Sequence, residues 1–73
     1  MAELRIVFWN ASGLKQRDQM FRLLLREQNI DLALINETHL PAAANINISG
    51  YHVLRLDATP EHNFRGLLVA IRR

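Results

Sequence analysis

A chain of 73 residues, 49% of them apolar and 22% charged, is long enough for one small domain and too apolar to be disordered. It contains no cysteine, which excludes a disulfide framework and a thiolate metal centre. The formal charge is only +2, yet eight of the nine basic residues are arginine, the residue that grips phosphate in a planar fork; the plain alternative is a solvated basic surface.

No apolar run approaches the ~20 residues of a membrane span. The opening "MAELR" leads into an apolar run and is no signal peptide, so an intracellular protein with no membrane partner is expected. The three Asn-x-Ser/Thr sequons at Asn10, Asn36 and Asn47 are then chance matches.

Residues 4–9 are β-branched and aromatic and are closed by "NASG", which predicts a strand. Over 15–28, Phe21, Leu24, Leu25 and Gln28 recur at helical spacing. Met20 and Leu23 widen that stripe, and charged residues fill the other side. Asn29 is placed to end this helix in a left-handed cap. The run "DLALIN" at 31–36 is too short for a helix and predicts a second strand. Strand, helix and strand form a βαβ unit with parallel strands.

Residues 40–50, "LPAAANINISG", read as a loop. A third strand is expected at 51–57 and a fourth, apolar on both faces, at 67–73. The turn-forming "ATPEHNFRG" between them suits an antiparallel hairpin. A strand apolar on both faces needs layers on both sides, and one helix cannot cover four strands. The chain also stops on Arg72-Arg73 directly at that strand, so a fragment of a larger domain is expected.

Ligands of parallel α/β sheets bind beyond the carboxyl ends of the strands. Asn10 closes the first strand and Glu37 follows the second, so the topology brings an amide oxygen and a carboxylate to one sheet edge. A hard cation such as Mg²⁺ takes one or two carboxylates with water and phosphate oxygens. The alternative reading is a turn-forming Asn10 and a solvated Glu37.

Among smaller candidates, His39 stands two positions after Glu37 but reads as a loop histidine. His52 and His62 read as a strand and a loop histidine. Arg55 and Asp57 share a strand face, either as an ordinary ion pair or as an ordering element at the site edge. Trp9 reads as core packing.

The stretches "LRIVFWNASGL", "IDLALINETHL" and "GYHVLRLD" together resemble the opening of the endonuclease domain of non-LTR retrotransposons of the jockey-like kind. That domain belongs to the exonuclease–endonuclease–phosphatase superfamily. The resemblance covers nearly the whole chain, 1–73, and rests on "WNASG" and "ETHL" in order, at the expected separation.

It implies the N-terminal βαβ and hairpin of a four-layer, deoxyribonuclease I-like α/β sandwich. It also implies Asn10 as the active-site asparagine near metal and phosphate, and Glu37 as the ligand of Mg²⁺ or Mn²⁺. The implied substrate is DNA, nicked so that an associated reverse transcriptase can prime from it, and the implied location is the nucleus.

Two features depart from the pattern. Only Gly66 remains of the glycine-rich stretch before the fourth strand. The family's downstream catalytic loop, Asp-x-Asn pair and Ser-Asp-His lie beyond the last residue, so the chain alone is expected not to cut DNA. Other readings are a repair-type abasic endonuclease fragment, a non-catalytic interaction module and a functionless remnant. The "INETHL" of this chain lacks the glutamine that repair-type members carry before the glutamate.

Overall fold

The computed structural model describes residues 3–41, 44–57 and 65–73. His62 and most of the connection before the last strand lie outside the described residues. The fold is a small α/β arrangement of β1 (Ile6–Asn10), a 3₁₀ turn (Leu14–Arg17), α1 (Asp18–Glu27), β2 (Leu32–Asn36), β3 (Tyr51–Leu56) and β4 (Leu67–Arg72).

The four strands form one mixed sheet in the order β1-β2-β4-β3. The βαβ expectation holds, with β1 parallel to β2 and Ile6 opposite Leu32. The hairpin expectation holds as well, with Tyr51 opposite Arg72 and Leu56 opposite Leu67. β4 also pairs antiparallel with β2, which makes it a central strand. Its two-sided apolar sequence, "LLVAIR", suits that place.

The helix is shorter than its apolar stripe. Its first turn is 3₁₀, and α1 starts only at Asp18. Phe21 and Leu25 are buried, whereas Met20 and Leu23 are exposed. Gln28 is exposed too, so the stripe is narrower than the spacing predicts. The end follows expectation: Asn29 is left-handed at φ 51°. The Ile30 N–H donates to the Leu25 carbonyl at 3.0 Å, and the Asn29 N–H to that of Arg26 at 3.4 Å. This two-bond closure satisfies the last helical carbonyls, and Ile30 buries itself beside Leu25.

One sheet face carries the core. Phe21, Leu25 and Leu14 join Ala33, Ile35, Leu68 and Ala70 in a single buried cluster, with Val7, Trp9 and Val53 packed against it. Ala33 and Ala70 are direct register partners, and their small side chains leave room for larger neighbours above the sheet. The Trp9 ring stacks on Phe21 with centroids 6.0 Å apart, so the packing role expected of Trp9 is what the fold uses.

The end of the sheet away from Asn10 is tied by Asp31. Its carboxylate accepts from the Arg5 N–H at 2.8 Å and pairs with Arg72 at 3.1 Å.

The other sheet face is apolar and uncovered. Register aligns Ile6, Leu32, Ile71 and His52 in one row, and Phe8, Leu34, Val69 and Leu54 in the next. Phe8 is 73% exposed and Leu54 60%. Asn10, Asn36, Leu67 and Leu56 form the last row, at the edge where the candidate site lies. Among the described residues, no helix is long and apolar enough to cross a membrane.

Candidate functional site at the strand ends

The parallel ladder does not stop with β1. Beyond Asn10, the Ala11 N–H donates to the Asn36 carbonyl at 3.0 Å. Gly13 and Leu14 then donate to the carbonyls of Glu37 and Thr38, each at 2.9 Å. On the opposite side, Thr38 N–H reaches the Gly66 carbonyl at 3.2 Å and His39 N–H that of Arg65 at 3.1 Å. The segment Glu37-Thr38-His39 is therefore held between the "NASGL" turn and the entry to β4. Thr38, 1% exposed, is the buried peg in its middle.

That clamp sustains unusual backbone. Glu37 has φ 51° and His39 φ 57°, and Ser12 across from them has φ 46°. A left-handed L-residue costs roughly 1–2 kcal/mol, comparable to the net worth of one or two hydrogen bonds. Four backbone bonds from the clamp to 37–39 offset that strain. Residues held in sparsely populated conformations concentrate at functional sites.

The two residues singled out from the sequence meet here. The Asn10 side-chain amide donates to Glu37 Oε2, while its Oδ1 accepts from the Ser12 N–H at 3.1 Å. Asn10 thus acts at once as a turn former and as a partner of the carboxylate. The Glu37 side chain is 43% exposed. It lines an open groove of about 500 Å³ with Asn36, Asp57, Arg65 and Gly66, floored by Leu56 and Leu67.

Two features of this edge escape a sequence reading. Asn36, the register partner of Asn10, buries its Oδ1 with no hydrogen-bond partner among the described residues. His39 lies in a loop as expected, since β2 ends at Asn36. Even so, its Nε2 is buried, also without a partner among the described residues, 4.0 Å from Glu37 Oε1. The i,i+2 spacing of "ETH" is the only signal for this approach, and it presumes a strand that the left-handed backbone replaces.

The other candidates sort cleanly. Arg55 makes the strand-face ion pair with Asp57 at 2.8 Å. Its guanidinium also donates to the carbonyls of Pro41, at 3.1 Å, and of Ala44, so it fastens the segment that follows His39. His52 is exposed on the uncovered face. A larger groove of about 760 Å³ runs beside α1 past Arg22, Arg26 and Arg72, away from Asn10 and Glu37. Arg22 and Arg72 are already paired there with Asp18 and Asp31.

As a cation site, the edge offers the Glu37 carboxylate and amide oxygens, with the Asp57 carboxylate of the same groove already paired to Arg55. Among the described residues, no group of three or more His, Cys, Asp or Glu side chains stands ready to hold a metal. Among the described residues, that donor set falls short of the three or four ligands of a protein-only zinc centre. It fits Mg²⁺ or Mn²⁺, which accept one or two carboxylates and fill the remaining positions with water and substrate oxygens.

A small α/β domain with a polar strand-end site is the class that the fold defines. No protein-family model matches the chain. Over 63 residues, 86% of this chain, it is 35% identical to the RNA-directed DNA polymerase from mobile element jockey of Drosophila melanogaster. The chain spans 7% of that protein's length. The similarity supports a non-LTR retrotransposon origin for the sequence.

Proposed function

We propose that the chain is the N-terminal part of a metal-dependent DNA endonuclease domain of a retroelement, and that Glu37 and Asn10 form its part of the active site. The observation that carries this reading is the contact between the Asn10 amide and the Glu37 carboxylate at the carboxyl ends of two parallel strands. Similarity to the jockey RNA-directed DNA polymerase supports the retroelement setting and a reverse transcriptase elsewhere in the same polyprotein. The substrate in this reading is chromosomal DNA in the nucleus.

In this reading Glu37 and Asn10 are the residues that would hold Mg²⁺ or Mn²⁺. The bound cation supplies Lewis-acid stabilisation of a phosphodiester undergoing hydrolysis. Asn10 fixes the carboxylate through its amide and positions the phosphate or the attacking water. The clamp on 37–39 keeps both groups preorganised, which is where most catalytic benefit arises. The uncovered apolar face fits the inner surface of a four-layer sandwich, with further layers packed against Phe8, Leu34, Val69 and Leu54.

Catalytic groups that work as a unit lose most of the rate when separated. The 73-residue chain is therefore expected to bind Mn²⁺ without nicking supercoiled plasmid. The test is a Mn²⁺ titration of the wild type and Glu37→Ala, run beside a single-turnover nicking assay. Binding that Glu37→Ala abolishes supports the reading, and equal binding by both proteins refutes it.

A second reading, a non-catalytic interaction module, draws on the same uncovered face. It predicts concentration-dependent self-association or salt-sensitive DNA binding that Glu37→Ala leaves unchanged.

A further inference from the structure

We propose that His39 is a positioning residue for Glu37, its imidazole Nε2–H holding one carboxylate oxygen while the Asn10 amide holds the other. The geometry of this pairing stands by itself; its consequence for cation binding rests on the reading of Glu37 given above.

Three observations converge on the imidazole. Its Nε2 is buried and has no hydrogen-bond partner among the described residues, although the nearest Glu37 oxygen, Oε1, is 4.0 Å away. The other carboxylate oxygen, Oε2, already accepts from Asn10. The backbone that carries the ring is tied down as well: the main-chain N–H of His39 donates to the Arg65 carbonyl. Its Nδ1 lies beside Gly13, 3.5 Å from where a Cβ would stand, an ordinary van der Waals distance.

The chemistry of imidazole selects the tautomer. A neutral histidine has one N–H and one lone pair. A buried lone pair at Nε2 would face a carboxylate with nothing to accept from, and the two would repel. With the proton on Nε2, the N–H points toward negative charge. At 4.0 Å the contact is charge–dipole rather than a hydrogen bond, and the proposal requires the half-exposed Glu37 side chain to turn toward the ring while keeping Asn10.

A carboxylate held at both oxygens presents its remaining lone pairs in a fixed direction. Partners of this kind around a metal-binding carboxylate set its orientation and so its affinity. His39 then contributes to cation binding without touching the cation, and "ETH" works as one unit with "NASG".

The test begins with the metal-free 73-residue chain. Long-range ¹H–¹⁵N correlation of the His39 ring is expected to show the proton on Nε2, with the ring shifts moving in Glu37→Gln. A proton on Nδ1, or a ring indifferent to Glu37→Gln, overturns the proposal.

Calorimetric Mn²⁺ titration follows. His39→Leu is expected to weaken binding about tenfold or more. His39→Gln, whose amide nitrogen stands where Nε2 stood, is expected to retain it. Wild-type affinity in His39→Leu overturns the proposal. If His39→Leu fails to fold, the spectrum of the wild type against Glu37→Gln decides. If the wild type shows the Nε2 tautomer but binds no Mn²⁺, the endonuclease reading falls and the His39–Glu37 pairing stands.

Discussion

The side-chain amide of Asn10 donates to Oε2 of Glu37, joining two residues 27 positions apart in the chain. The same Asn10 side chain accepts from the Ser12 N–H at 3.1 Å. One residue therefore shapes the turn after β1 and holds the carboxylate after β2.

Asn10→Asp separates those two tasks. Aspartate keeps an acceptor for Ser12 but turns a carboxylate toward Glu37. Loss of a hydrogen bond to a charged group, plus like-charge repulsion, should destabilise the chain by about 1–3 kcal/mol in urea denaturation. Combining it with Glu37→Gln should recover part of that loss, since the repulsion is gone. Additive losses in the double variant would show that the two side chains do not interact.

Gly13→Ala and Gly50→Ala distinguish strain from crowding. Both glycines have positive φ, 101° and 85°, so alanine is strained at either position by about 1–2 kcal/mol. A Cβ at Gly50 meets nothing within 4 Å, whereas at Gly13 it lies 2.5 Å from Gln16 Oε1 and 3.5 Å from His39 Nδ1. Thermal denaturation should show a loss in both variants. Only Gly13→Ala should also shift the ring resonances of His39.

Arg55→Met tests the fastening of the segment after His39. Methionine keeps the apolar stem but removes the donors to Asp57, Pro41 and Ala44. The expected cost is about 1–3 kcal/mol, because two half-buried acceptors, Asp57 and the Ala44 carbonyl, and the exposed Pro41 carbonyl lose a charged donor. Amide exchange of Thr38 and His39 should rise with it. A change below about 0.5 kcal/mol would reduce Arg55 to an ordinary surface pair.

The uncovered face predicts behaviour in solution. Phe8 and Leu54 share one row of that face and are largely exposed. Phe8→Lys combined with Leu54→Lys should reduce self-association in sedimentation and weaken binding of a hydrophobic dye, with unfolding shifted by under about 1 kcal/mol. A large loss of stability would mean that the face is packed in the free chain.

The sheet and the convergence of Asn10 with Glu37 were legible because both follow from local patterns. Two apolar runs flanking an amphipathic stripe specify a βαβ unit, which fixes where the strand ends meet. The place of β4 between β2 and β3 was not read out; its two-sided apolar sequence marks burial on both faces but not which neighbours provide it.

The narrow helix stripe was obscured because Met20 and Leu23 are apolar residues that stay exposed. His39 was read only as a loop residue. Its approach to Glu37 depends on the left-handed turns at Glu37 and His39, which tertiary hydrogen bonds impose and propensity does not signal.

The measurement that tests the central claim most directly is a Mn²⁺ titration of the intact chain, followed by Trp9 fluorescence with far-UV circular dichroism as a check of folding. Trp9 is the only tryptophan and immediately precedes Asn10. A saturable change in the wild type, absent from a folded Glu37→Ala, is the predicted result, and it would establish Glu37 as the cation-binding carboxylate of this edge. A folded wild-type chain whose fluorescence ignores the cation, or responds identically in Glu37→Ala, would contradict it.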